Sequence, residues 1–323
     1  MTRLGSGGII ACYACQAACA HCMYGCSPKL KNDYISGETA DNVCRALRGF
    51  GCRSVHVGGG EPFTDYDGLV RLIKIIRGCG LDVDYIETNA AWVTGDEKKD
   101  YEHIRGVMAA GGGCMMVSAD FFHIEFIPFW KVRALINLMG KRGIRHFVWQ
   151  GRFLHELGRL DPRKTYGRHE LIEALGYDAA LKCAREYGMG FNGRALNLLR
   201  SFGKKYPVEA FLSDAPCASL SGAEHFHADL YGNYVPPGCT GIGLPLGGLA
   251  FPAYEERCPA VSALRSGGLR RLYSYAVSRG YIPDEGGYVS KCDLCFSMRK
   301  YLVADEAARH PSLAPRWFYE QDY

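Results

Sequence analysis

Cys15, Cys19 and Cys22 are separated by three and then two residues, so three thiols fall within a single short loop. Three thiolates that close can hold three irons of a cubic 4Fe-4S cluster and leave the fourth iron open to a ligand that is not protein. That open corner is where chemistry is expected. A structural zinc site more often draws four ligands from two Cys-x2-Cys pairs or from Cys/His mixtures, and gaps of three and two do not fit it. A second motif, Gly59-Gly60-Glu61-Pro62, follows a short apolar stretch further along. Its glycines let a backbone approach a ligand closely.

The spacing Cys15-x3-Cys19-x2-Cys22, with His21 before the third cysteine and Gly-Gly-Glu-Pro downstream, resembles the signature of the radical S-adenosylmethionine (radical SAM) superfamily. The resemblance implies an iron that chelates the amino and carboxylate groups of SAM, and an electron that cleaves SAM to methionine and a 5'-deoxyadenosyl radical. This radical takes a hydrogen atom from an unactivated carbon. Gly59, Gly60, Glu61 and Pro62 are then expected to receive the SAM amino group, Ser118 its carboxylate or ribose, and His21 to lie near the adenine. Flavodoxin or ferredoxin is the expected class of reductant.

Positioning such a site requires strands that end together. Gly7 to Cys12 reads as a buried strand, and strand-like stretches follow at Arg53–Val57, Leu81–Glu87, Cys114–Ser118 and Arg145–Trp149, with a short sixth near Met189–Asn192. Between them, apolar residues recur at helical spacing, as in Ala40, Val43, Cys44, Leu47 and again in Leu69, Leu72, Ile73, Ile76. Further helices are expected near 98–110, 132–139 and 171–187. Six strand-helix units predict an α/β chain with a parallel sheet, and the resemblance makes it a partial (β/α)6 TIM-type barrel over residues 1–200. Ligands of such sheets bind at the carboxyl ends of the strands. Glu87, Asn89, Gln150, Arg152, Asn192 and Arg194 close strands and are therefore placed near cofactor, with Asn89, Gln150 and Arg194 preferred. Polar residues at strand ends also cap helices and pin loops.

Past residue 200 the alternation stops. Phe226 to Val235 reads as two β segments around Gly232-Asn233, a pair suited to a two-residue hairpin turn. Cys217 and Cys239 flank it, and Cys292-Asp293-Leu294-Cys295 follows. This arrangement resembles the twitch fold, the shortened relative of SPASM domains. It implies a smaller α+β region, residues 201–323, in which Cys217, Cys239, Cys292 and Cys295 hold an auxiliary 4Fe-4S cluster. Gly232 to Cys239 encloses six residues where SPASM-type sequences usually have four. Zinc on four thiolates is the rival, as is replacement of one ligand by Cys258 or a mixed site using His225 or His227.

An auxiliary cluster suits a reaction in which a substrate radical loses an electron, and a base would then take a proton. His123 titrates near neutrality and, with Asp120, follows the fourth strand, so both are candidates for acid-base work. Cys258 and Cys26 are candidate hydrogen-atom donors. The substrate class expected is a peptide or a small natural product. The barrel's start close to Met1 leaves no space for an N-terminal peptide-recognition domain, which tilts against leader-peptide enzymes. A non-catalytic iron-sulfur electron carrier and a zinc-stabilised scaffold are the alternatives from other classes.

Composition narrows the setting. Among 323 residues 48% are hydrophobic, enough for a large core. No apolar run approaches the roughly 20 residues that cross a bilayer. Net charge is +4 with Lys and Arg spread along the chain, so no basic face for nucleic acid is expected. Fifteen cysteines without a recognisable leader point to reduced thiols and a cytoplasmic setting.

Overall fold

Strand β1 (Gly7–Cys12) is buried along its whole length because it has a neighbour on each side. The computed structural model describes residues 3–186, 192–246, 258–306 and 310–321. After β1 the chain runs through α1 (Gly37–Gly49), β2 (Ser54–Gly59), α2 (Tyr66–Gly78), β3 (Asp82–Thr88), α3 (Glu97–Ala109), β4 (Met115–Ser118), α4 (Phe129–Lys141) and β5 (His146–Trp149). All five strands are parallel to their neighbours, as helical crossovers require. The apolar stripes fall inward as expected, with Ala40, Val43, Cys44 and Leu47 of α1 and Leu69, Leu72, Ile73 and Ile76 of α2 buried. Caps fix where these helices begin: Ser36 accepts from Thr39 N at 3.0 Å and Asp65 from Gly68 N at 2.8 Å.

Beyond β5 the single helix expected near 171–187 is broken. A short α5 (Leu154–Leu157) precedes α6 (Arg168–Leu175) and α7 (Tyr177–Glu186), and Gly176, at φ 92°, separates the last two. The sixth strand expected near Met189–Asn192 lies outside the described residues except for Asn192. Helix α8 (Arg194–Phe202) follows.

The stretch after residue 200 continues the same sheet. Strands β6 (Phe226–Ala228), β7 (Asn233–Val235) and β8 (Leu244–Pro245) extend it in the order β5-β4-β3-β2-β1-β6-β7-β8, with β6 parallel to β1 and then two antiparallel pairings. The result is a mixed α/β molecule with a mostly parallel eight-stranded sheet. The hairpin differs from the two-residue turn predicted from Gly232-Asn233. Asp229 N donates to Asn233 O, Asn233 itself is in β7, and the connection is the three residues 230–232 with Gly232 at φ 84°. The Asp229 carboxylate accepts from Tyr231 N and Asn233 N, which is why the longer turn wins. Helices α9 (Pro259–Ser278), α10 (Lys291–Glu306) and α11 (Trp317–Glu320) complete the described chain. No helix among the described residues is long and apolar enough to cross a membrane.

Candidate functional site

The loop leaving β1 holds all three cysteines of the first motif, and it is fastened mainly through its backbone. Cys15 N donates to Ser27 O at 3.3 Å and Cys22 N to Cys19 O at 3.0 Å. Arg194, at the start of α8, reaches back across the chain. Its guanidinium donates to the carbonyls of Cys19, Gly25 and Cys26 at 2.9 Å each, and its backbone N–H donates to Cys22 O at 3.1 Å. Arg194 was expected to touch cofactor; it clamps the cysteine loop instead and is not among the residues lining the cavity.

The sulfurs face polar groups. Cys15 Sγ accepts from Asn89 Nδ2 at 3.3 Å and from Ala17 N at 3.4 Å, and Cys19 is hydrogen-bonded by His123. Burial pushes the Cys15 and Cys19 thiols up. Cys22 goes the other way, to about 6, because Cys26 hydrogen-bonds it and the Arg194 cation lies near.

Gly59 and Gly60 bring β2 against this loop. Gly60 N donates to Cys12 O and Glu61 N to Ala14 O. A Cβ on Gly60 would overlap the Ala14 carbonyl, and one on Gly59, whose φ is 114°, would sit 2.6 Å from Cys12 O. The glycines are thus required by the chain's own close approach. Glu61 is fully buried and spent on structure: its carboxylate accepts from Phe63 N at 3.1 Å, from Thr88 Oγ1 at 3.0 and 3.1 Å, and from Asn89 N at 2.7 Å. Burial raises it to about 7 against these bonds. It ties the ends of β2 and β3 together. Pro62 opens the short turn that follows and is buried.

These elements enclose a cavity of about 370 Å³ at the carboxyl ends of the strands, within the range usual for small-ligand sites. Cys15, Cys19, Cys22, Gly59 and Gly60 border it. So do His21, Asn89, Ser118 and His123. Alternation along the strands adds Tyr85 and Glu87 of β3, Met116 of β4 and Phe147 and Trp149 of β5. Of the expected positions, Glu61, Pro62, Asp120, Gln150 and Cys258, like Arg194, are not among the lining residues. Gln150 adopts a left-handed conformation at φ 59° just past β5, and Cys258 is buried at the start of α9.

Asp120 and His123, both candidates for acid-base work, are bonded to each other. Asp120 Oδ2 lies 2.8 Å from His123 Nδ1, and its other oxygen accepts from Phe122 N and His123 N. Asp120 remains well below the usual carboxylate range because His123 and these donors outweigh its burial. His123 is raised despite burial, chiefly by Asp120 and then Cys19. It bridges Asp120 and Cys19. His21 is lowered to about 3 by burial and packs 4.6 Å from the Phe122 ring and 5.1 Å from His123.

The sequence missed a buried chain of hydrogen bonds. Tyr24 OH lies 2.9 Å from His227 Nδ1, and His227 Nε2 lies 3.0 Å from His56 Nε2. Burial lowers both imidazoles, His56 to about 4, so both are neutral. One assignment satisfies every atom: Tyr24 donates to His227, His227 to His56, and His56 to the Gly7 carbonyl. The pair crosses over Gly8, where any Cβ would collide with both rings. Nothing in the local sequence named His56 as the partner of His227. Glu87 Oε1 stands 3.7 Å from His56 Nε2 and makes no protein hydrogen bond among the described residues. Burial, and then Glu61, raise Glu87 to about 7.

The second cysteine set gathers too. Cys217 starts a short turn, Cys239 follows β7, and Cys292 and Cys295 lie on the first turns of α10. Burial raises Cys239, Cys292 and Cys295; all three feel Cys217 electrostatically, Cys239 also feels Cys292 and Cys295, and Cys295 also feels Cys292. His227 is committed to Tyr24 and His56, and Cys258 is not among these electrostatic neighbours. Among the described residues the three ligand atoms that close to within 4.8 Å of one another belong to His21, Asp120 and His123.

No family model matches the chain, and no curated protein does. Solved structures with a similar fold include Streptococcus suis SuiB bound to S-adenosylmethionine, at 14% identity and TM-score 0.37, covering 88% of this chain and 77% of SuiB. Native anSMEcpe with bound AdoMet matches at 14% identity and TM-score 0.42, covering 93% of this chain and 97% of that one. PhdJ bound to a substrate intermediate matches at 15% identity and TM-score 0.30, over 62% and 63%. At such scores the likeness carries no functional argument by itself.

Proposed function

We propose that the chain is a radical SAM enzyme. The observation that carries this reading is the convergence of Cys15, Cys19 and Cys22 with Gly59-Gly60, Asn89 and Ser118 around one cavity at the strand ends. When bound, a 4Fe-4S cluster on those three cysteines supplies the electron that cleaves SAM and yields the hydrogen-abstracting 5'-deoxyadenosyl group. Residues 1–200, as a partial barrel, hold the cofactors. Residues 201–323 provide Cys217, Cys239, Cys292 and Cys295 for an auxiliary cluster that takes or relays an electron.

The chain's own residues divide the remaining work. Asn89 and His123 hold the cysteine sulfurs in place, and Arg194 holds the loop that carries them. Ser118 presents a hydroxyl to the cavity for the SAM carboxylate or ribose, and His21 offers a neutral ring beside it. Glu87 is the better proton acceptor than His123, because its carboxylate makes no protein hydrogen bond among the described residues while His123 is bonded to Asp120 and Cys19. Tyr85, Phe147 and Trp149 line one side of the cavity with aromatic rings, of which Phe147 and Trp149 remain exposed. The substrate is a peptide or small natural product that undergoes oxidation, cross-linking or a related change, with flavodoxin or ferredoxin as reductant. Anaerobic reconstitution, iron counting and reduction in the presence of SAM test this reading. It expects 5'-deoxyadenosine and about eight irons; no 5'-deoxyadenosine from a protein that holds iron at Cys15, Cys19 and Cys22 would refute it.

A further inference from the structure

Arg299 is 1% exposed and heads the largest fully buried side chains of the molecule. Its Nη1 donates to Thr240 O at 2.8 Å and to Tyr319 OH at 2.7 Å, and the Tyr319 hydroxyl donates onward to Gly241 O. Phe296 and Tyr319 rings lie 5.9 and 5.6 Å from the guanidinium carbon. No carboxylate among the described residues pairs with it, and its Nε, also buried, has no hydrogen-bond partner. An uncompensated buried charge is strongly destabilising. Two neutral acceptors and two rings do not supply an opposite charge.

The groups able to supply one are sulfurs. Arg299 lies one helical turn beyond Cys295 and two beyond Cys292, so α10 presents all three side by side. Its guanidinium hydrogen-bonds the Cys295 thiol and lies near Cys239 and Cys292. Four neutral, half-buried thiols would leave the cation unanswered, and four bare thiolates would repel one another. Thiolates sharing a cluster core resolve both problems.

We propose that Arg299 is the fixed counter-charge of the cluster held by Cys217, Cys239, Cys292 and Cys295, and that it raises the reduction potential of that cluster. The inference rests on the auxiliary-cluster reading above. One added electron takes such a four-thiolate 4Fe-4S centre from a net charge of −2 to −3, and a nearby buried cation favours the more negative state. Arg299 thereby poises the centre to accept an electron. It is a positioning residue that acts through the cluster and not on substrate.

The test uses the full chain with Cys15, Cys19 and Cys22 changed to Ala, reconstituted anaerobically, so that one cluster is observed. Iron and zinc are counted first; zinc without iron at this site refutes the auxiliary-cluster reading itself, before any Arg299 variant is compared. Potentials are then read by redox titration followed by electron paramagnetic resonance, with Arg299→Gln and Arg299→Lys beside the parent. The proposal expects about four irons, a clearly more negative potential in R299Q, and a potential near the parent's in R299K. Equal potentials in all three overturn it. If R299Q loses its iron while R299K keeps it, the charge is required to hold the cluster and the proposal stands. If both lose it, the guanidinium shape matters and not its charge, and the proposal fails.

Discussion

The two cysteine centres are surrounded differently. Around Cys15, Cys19 and Cys22 no side chain's cation is buried among all the sulfurs: Arg194 lies near Cys22 but spends its guanidinium on three loop carbonyls, and the sulfur contacts come from Asn89, the Ala17 N–H and His123, itself tied to Asp120. That centre opens onto a cavity. Around Cys217, Cys239, Cys292 and Cys295 a cation is sunk among the thiols, and none of the four borders that cavity. A site that must admit a ligand keeps an open side, while a site that only stores an electron can be closed and charge-balanced from within.

The sharpest way to break this comparison is to remove one set of sulfurs at a time. Changing Cys15, Cys19 and Cys22 to Ala should reduce 5'-deoxyadenosine formation to background, while Cys292→Ala with Cys295→Ala should spare SAM cleavage more than product formation. Equal loss in both would mean that the second centre is needed for folding or electron delivery. Next in size is Arg194→Ala, which strips the donors from three carbonyls. It should cost roughly 2–4 kcal/mol in denaturant unfolding of the metal-free chain, and a cost below 1 kcal/mol would contradict the clamp. Gly60→Ala forces a Cβ into the Ala14 carbonyl and should cost roughly 1–3 kcal/mol by the same measurement.

The smallest effect is on pH. Glu87, raised from 4.5 to about 7, holds a proton in the folded state that the unfolded chain has shed between those values. Its contribution is full below pH 4.5 and is lost as pH rises to about 7. Glu87→Gln should therefore remove a decline of roughly 1–3 kcal/mol across that window; an unchanged pH profile of unfolding would count against Glu87 as the cavity's proton acceptor.

Local pattern was enough to place the five strands, the first four helices and the residues that end them. The chemistry of those ends was less legible. Gly60 and Glu61 carry a ligand-binding signature, yet their geometry is dictated by neighbouring backbone and by Thr88 and Asn89, partners that no spacing rule supplies. Arg194 was placed near cofactor by position, but its three carbonyl acceptors lie about 170 residues away in sequence. His56 and His227 belong to strands that meet only through β1, so their pairing is a fact of topology. Arg299 did leave a trace, since Cys292, Cys295 and Arg299 share one face of α10, but its burial became visible only with the fold.

The most direct test is electron paramagnetic resonance of the reduced, anaerobically reconstituted Cys292→Ala/Cys295→Ala chain, with and without SAM. A cubic-cluster signal that changes when SAM is added is the predicted result. A signal indifferent to SAM, or none in protein shown to carry iron, would contradict an open iron at Cys15, Cys19 and Cys22.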